Sequence, residues 1–126
     1  MEFLKMFNHW KEVEEHKAQT VIFEEGAPAD TLYVIMEGEV ALNLRGERLG
    51  VEGVGGIIGE MAISPSATLN TTATSVSDVK LARLSRYQLN MLMTKNNEFS
   101  LHVMATLANR LRAVNQYITT QFESVQ

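Results

Sequence analysis

Gly55, Gly56 and Gly59 lead straight into Glu60 in the run GGIIGEMAI, residues 55–63. Glycines let a backbone approach a ligand closely and expose its amide donors, which suits an anion. A carboxylate next to those donors repels a phosphate unless it faces other groups, such as sugar hydroxyls. The combination therefore fits a ligand that carries both phosphate and ribose. The same residues also make a tight turn whose glutamate accepts nearby backbone amides, and the spacing leaves both readings open. One element of a phosphate cradle is missing: between Glu60 and Arg83 the only basic residue is Lys80.

Other chemistries find less support. His9, His16 and His102 are scattered, with no pair at i, i+4 and no second ligand type nearby, so a metal site is not expected. No serine sits in a G-x-S-x-G elbow, and Glu60 has no carboxylate partner at a catalytic spacing. With no catalytic constellation, the chain reads as a non-enzyme without cofactor. Met36, Met61, Met91, Met93 and Met104 read as packing residues. The chain has no cysteine, which excludes disulfides and thiolate metal sites. Its 126 residues fit one domain, and 45% hydrophobic with 21% charged residues is ordinary globular composition. A net charge of −4 disfavours direct contact with nucleic acid. There is no signal-peptide pattern and no apolar run of about 20 residues, so a cytoplasmic protein without a membrane span is expected.

Three zones must position these residues. Phe3, Phe7 and Trp10 stand at helical spacing, which predicts a short helix over residues 1–12 that seats its aromatics on the domain. Residues 13–84 are rich in Val, Ile, Leu and Thr between Gly and Pro turns, which predicts short strands of a barrel or sandwich. TLYVIMEGEVALNL alternates imperfectly, as strands with one buried face would, and the run from Thr72 to Leu84 places Val79, Leu81 and Leu84 on one side. In residues 85–126 the spacing predicts two helices, the first capped by Ser85 and ending near Asn96. The second holds Leu101, Met104, Ala108, Leu111, Asn115, Ile118, Phe122 and Val125 at spacings of three and four, a heptad seam. A helix this long outruns a small β domain, so pairing with a second copy is expected, with polar Asn115 fixing the register. Packing on its own barrel is the alternative.

VIFEEGAPADTLYVIMEGEVAL, GGIIGEMAI and SVSDVKLARLSRYQLNML together resemble the cyclic-nucleotide-binding domain family, over nearly the whole chain. Gly26, Asp30, Tyr33, Gly38 and Val40 fall at its turn and strand positions, and the last helix is similar to the dimer helix of the catabolite activator branch. The resemblance implies a mainly β fold with flanking helices: a jelly-roll-like β-roll (a double-stranded β-helix) over residues 13–84, with a phosphate-cassette-like loop at 55–72. It implies a short helix near Met61–Ser64, a Glu60 that meets the ribose hydroxyl, and Gly59, Met61 and Ala62 lining the same pocket. It also implies an arginine nine residues after Glu60, where this chain has Leu69 followed by Asn70. A charge-assisted arginine–phosphate contact is worth on the order of 1.5–3 kcal/mol, so cyclic nucleotide binding should be weaker by roughly a hundredfold. Thr68, Asn70, Thr71 and Thr72 offer neutral donors instead, or simply follow β propensity.

In the activator branch the dimer helix presents hydroxyls to the base. The corresponding places here are Val114, which cannot donate, and Asn115, which can. The helical pattern is still running at Gln126, where that branch continues into a helix-turn-helix, so the chain reads as a stand-alone domain or as part of a longer one. The expected function is a regulatory sensor module that takes a cyclic nucleotide weakly or another small ligand. A ligand-free dimeric interaction module is the alternative, as is the sensor part of a cAMP-responsive regulator, channel or kinase.

Overall fold

The apolar runs fold as eight antiparallel strands in two four-stranded sheets, in a computed structural model that describes residues 2–124. In the first sheet β1 (Val13–His16), β8 (Val79–Ser85), β3 (Thr31–Glu37) and β6 (Ile57–Ile58) lie side by side in that order. In the second the order is β2 (Val21–Phe23), β7 (Thr72–Ser75), β4 (Val40–Leu44) and β5 (Glu47–Glu52). Helices α1 (Arg86–Lys95) and α2 (Asn97–Ser124) follow the strands.

Two apolar clusters explain the sequence pattern. Ile35, Val40, Leu42, Ile58, Ala73, Val79 and Leu81 come from both sheets and fill the roll. Leu32, Val34, Ile57, Ala82 and Leu84 of the first sheet meet Phe3, Phe7, Leu89, Phe99 and Val103 of the helical segments. The first sheet is thus covered on both faces, and its strands lose the clean alternation of a half-exposed sheet. The expectation of a single buried face is corrected on this point. Leu84 likewise falls with Ala82 on the helix side and not with Val79 and Leu81.

The run from Thr72 to Leu84 is two strands. It breaks where Ser77 and Asp78 use their side chains on the backbone of other turns. Ser77 Oγ accepts from the Glu39 amide at 3.0 Å, and Asp78 Oδ1 accepts from the Ala18 amide at 2.9 Å. The N-terminal segment is a 3₁₀ helix over Glu2–Phe7, shorter than the sequence suggested. It still seats its aromatics: the Phe3 ring lies 5.6 Å from Phe99, and the Phe7 ring 5.0 Å from Trp10. Ser85 caps α1 as expected. Its Oγ accepts from the Gln88 amide, and Gln88 Oε1 accepts from the Ser85 amide, a reciprocal box that ends β8 and starts the helix.

A polar row crosses the first sheet. Glu14 on β1 pairs with Arg83 Nε on β8 at 3.0 Å and accepts from the Tyr33 hydroxyl on β3 at 3.3 Å. Burial, and then the Glu14 carboxylate, push the Tyr33 phenol up from 10.0 to about 12. The neutral phenol is favoured in the fold, so its contribution is complete below pH 10 and is lost as pH rises towards 12. Phenolate absorbance should show one late-titrating tyrosine, and urea midpoints should fall over that same window. A Tyr33→Phe variant that keeps the late titration would rule this out.

Candidate functional site

Strand β6 runs into Gly59, whose φ of +75° lies in the left-handed region. A Cβ at this position would come within 2.7 Å of the Thr31 carbonyl oxygen, so only glycine fits. Gly59 caps a short 3₁₀ helix, Glu60–Ile63, close to the cassette helix that the family resemblance implied. The sharp entry turns Glu60 inward, where the residue is 5% exposed. Ala62 packs into the helix-side cluster, and Met61 is half-buried.

Gly55 and Gly56 serve a turn. The Gly55 amide donates to the Ile35 carbonyl and the Gly56 amide to the Gly53 carbonyl, both at 2.8 Å, so neither points at a ligand. The Gly55 carbonyl is in turn 2.7 Å from His102 Nε2 on α2, which fixes that ring nitrogen as the donor.

The cation absent from the cassette arrives from the helix. Arg110 on α2 is buried, and its Nε lies 3.4 Å from Glu60 Oε1. Its Nη2 donates to the carbonyl of Ile57, and its Nη1 lies 3.7 Å from Glu52 Oε1. Nη1 is buried and makes no hydrogen bond among the described residues. A buried charge needs a partner, since desolvation of a lone carboxylate or guanidinium costs several kcal/mol. Here each supplies the other's counter-ion. His102 and Arg110, eight residues apart on one helix face, both grip backbone carbonyls of residues 55–57 and hold α2 against the cassette.

The other candidate residues are placed as follows. Leu69 is buried, and its backbone is bonded to Ala27 and Gly26 at 2.8 Å each. Asn70 is exposed, Thr71 is buried, and Thr72 Oγ1 accepts from the Glu25 amide at 3.1 Å. Val114 is half-buried, while Asn115 is exposed on the side of α2 away from the roll. Leu101, Met104, Ala108, Leu111, Ile118 and Phe122 are exposed as well, and Val125 lies outside the described residues.

Beside Arg110 is a cavity of about 50 Å³ lined by Leu42, Leu49, Gly50, Glu52, Asn109, Arg110 and Ala113. That volume holds a water or two; ligand pockets run from roughly 300 Å³ upward. Among the described residues no group of three or more His, Asp or Glu could hold a metal ion, and no helix is long and apolar enough to cross a membrane.

A family model for the cyclic nucleotide-binding domain matches residues 13–96. The chain belongs to that family. Its eight antiparallel strands followed by two helices are the β-roll of the family with a C-terminal helix. This cyclic nucleotide-binding domain is 29% identical over 99 residues to the CRP-like cAMP-activated global transcriptional regulator of Mycobacterium tuberculosis, covering 75% of this chain and 44% of that one. It is 32% identical over 91 residues to the cGMP-dependent protein kinase egl-4 of Caenorhabditis elegans, covering 72% of this chain and 12% of the kinase. It therefore spans less than half the length of these relatives. The solved structure of the c-di-GMP responsive global regulator CLP of Xanthomonas campestris shares the fold, with a TM-score of 0.75 at 23% identity over 93% of this chain and 60% of that one.

The family match ends before Arg110, which is why the motifs alone did not reveal it. The signal was in the helix pattern. Phe99, Val103 and Arg110 share one face by spacings of four and seven, and the first two are apolar core residues. An arginine continuing an apolar stripe needs a buried carboxylate, and Glu60 is one.

Proposed function

We propose that this cyclic nucleotide-binding domain is a non-enzymatic sensor module that reads a small ligand through Glu60 and Arg110 and reports it through α2. The single observation that carries the reading is the buried Glu60–Arg110 pair, because it joins the cassette carboxylate to the helix. Glu60 suits ribose hydroxyls, and Arg110 is the cation paired with it. The site holds two carboxylates, Glu52 and Glu60, for one guanidinium. Such a balance penalises a strongly anionic ligand, and the cassette offers no arginine of its own. A cyclic nucleotide is therefore bound weakly, or a less charged small ligand is bound in its place.

The second part of the proposal is a homodimer through α2, supported by the exposed apolar seam from Leu101 to Phe122. If no ligand binds, the same seam supports a different role, a dimeric interaction module.

Calorimetric titration with cAMP and cGMP up to millimolar ligand tests the reading. We expect binding in the range of tens to hundreds of micromolar, about a hundredfold weaker than a site with a cassette arginine would give. No heat with either nucleotide at millimolar concentration would remove the cyclic-nucleotide form of the proposal. Submicromolar binding would remove the weakened site.

A further inference from the structure

Helix α1 begins with a side chain that turns back onto the cassette. Arg86 Nε donates to the Ala62 carbonyl at 3.1 Å, and Nη2 donates to the carbonyls of Ser64 at 3.3 Å and Ala29 at 3.4 Å. Ala62 lies in the cassette's short helix and Ser64 is its C-terminal cap. The last carbonyls of a helix lack intrahelical partners and carry partial negative charge, so a cation is well placed there.

The third acceptor belongs to the loop between β2 and β3, which holds the far end of the cassette by backbone bonds. The Ala29 amide donates to the Ala67 carbonyl at 3.0 Å, and the Leu69 amide to the Ala27 carbonyl at 2.8 Å. One planar guanidinium thus ties the cassette's short helix to the loop that holds residues 67 and 69. Between them lie the exposed residues Ser64, Pro65 and Ser66, with Ser66 at a φ of +60° that a non-glycine residue rarely adopts. Leu89, one turn along α1, packs in the same cluster as Ala62, so the helix and the cassette are also joined by apolar contact.

We infer that Arg86 is the positioning residue of this site: it fixes the Glu60–Ile63 helix, and with it Glu60, against the start of α1, without itself touching the ligand. Arginine suits the task because its rigid fork offers several donors to separated acceptors, whereas lysine is a mobile point charge. The inference deepens the sensor reading, because a ligand seated on Glu60 would then bear on α1 through Arg86.

Hydrogen exchange on the full chain tests it, with Arg86→Ala and Arg86→Lys compared with wild type and cGMP and cAMP affinities measured alongside. In Arg86→Ala, exchange of amides 60–69 should rise at least tenfold while β3 and β8 keep their rates. Arg86→Lys should restore part of the protection, and nucleotide affinity should fall about tenfold in the alanine variant. Unchanged exchange over 60–69 overturns the inference, as does an equal rise across β3 and β8, which would mean general destabilisation. Raised cassette exchange with unaltered affinity overturns it too. If the wild type binds neither nucleotide, the cyclic-nucleotide form of the sensor reading fails by itself, and exchange alone decides the role of Arg86.

Discussion

Replacing Arg110 by alanine should destabilise the domain by about 3 kcal/mol, the low end of the cost of breaking a buried ion pair by removing one partner. Glu60 is 5% exposed, so its carboxylate would lose its counter-ion with little water to replace the guanidinium. The Ile57 carbonyl would also lose its donor. The separations of 3.4 and 3.7 Å make these ion-pair contacts and not short hydrogen bonds, which is why the estimate stays at the low end.

The double variant Arg110→Met with Glu60→Gln separates the pair from the packing. Methionine keeps much of the arginine stem volume, and glutamine keeps the shape of the acid without its charge. If the two charges stabilise each other, the double variant is more stable than the sum of the single losses by about 1–3 kcal/mol. Urea unfolding at one fixed protein concentration measures all four proteins, since any dimer makes stability concentration-dependent. Additive losses would show that Glu60 and Arg110 do not stabilise each other, and the Glu60–Arg110 element of the sensor reading would go with them.

The same residue marks the limit of what the sequence could tell. The glycine turns, the strand runs and the Ser85 cap are local features, written in residues a few positions apart, and they marked the strands and the start of α1, while the roll itself was implied by the family resemblance. The burial of the first sheet on both faces is a tertiary fact: Leu32 and Val34 look outward for helices that arrive more than fifty residues later. The division at Ser77 and Asp78 depends on amides of Ala18 and Glu39, which the local pattern does not contain. Glu60 was legible because glycines lead into it. Arg110 was not, because its partner lies fifty residues upstream and no cassette spacing includes it.

The proposed pairing through α2 predicts the other large effect: Leu111→Glu should convert a dimer into a monomer of 14.1 kDa, read by light scattering. Leu101, Met104, Leu111, Ile118 and Phe122 are each 56–69% exposed. At about 1.5 Å per residue the seam from Leu101 to Phe122 is roughly 30 Å long. An apolar stripe of that length, interrupted at Asn115, marks an interaction surface on a helix face. The alternation of three and four residues keeps the stripe straight along a supercoiled partner, as a second copy of the same helix would be. The face that grips the roll, through Phe99, Val103 and Arg110, is a different one, so pairing and the buried site do not compete for the same side chains. A glutamate at 111 would sit near the middle of the seam and bring two like charges together across a two-fold axis, at a cost that a few exposed leucines do not offset. Asn115, four residues on, would stay at the seam and could not neutralise them. A wild-type protein that already scatters as a monomer would remove the pairing altogether, and a variant that remains a dimer would remove α2 as the interface, so that the route by which a seated ligand reaches the second subunit would run through another face.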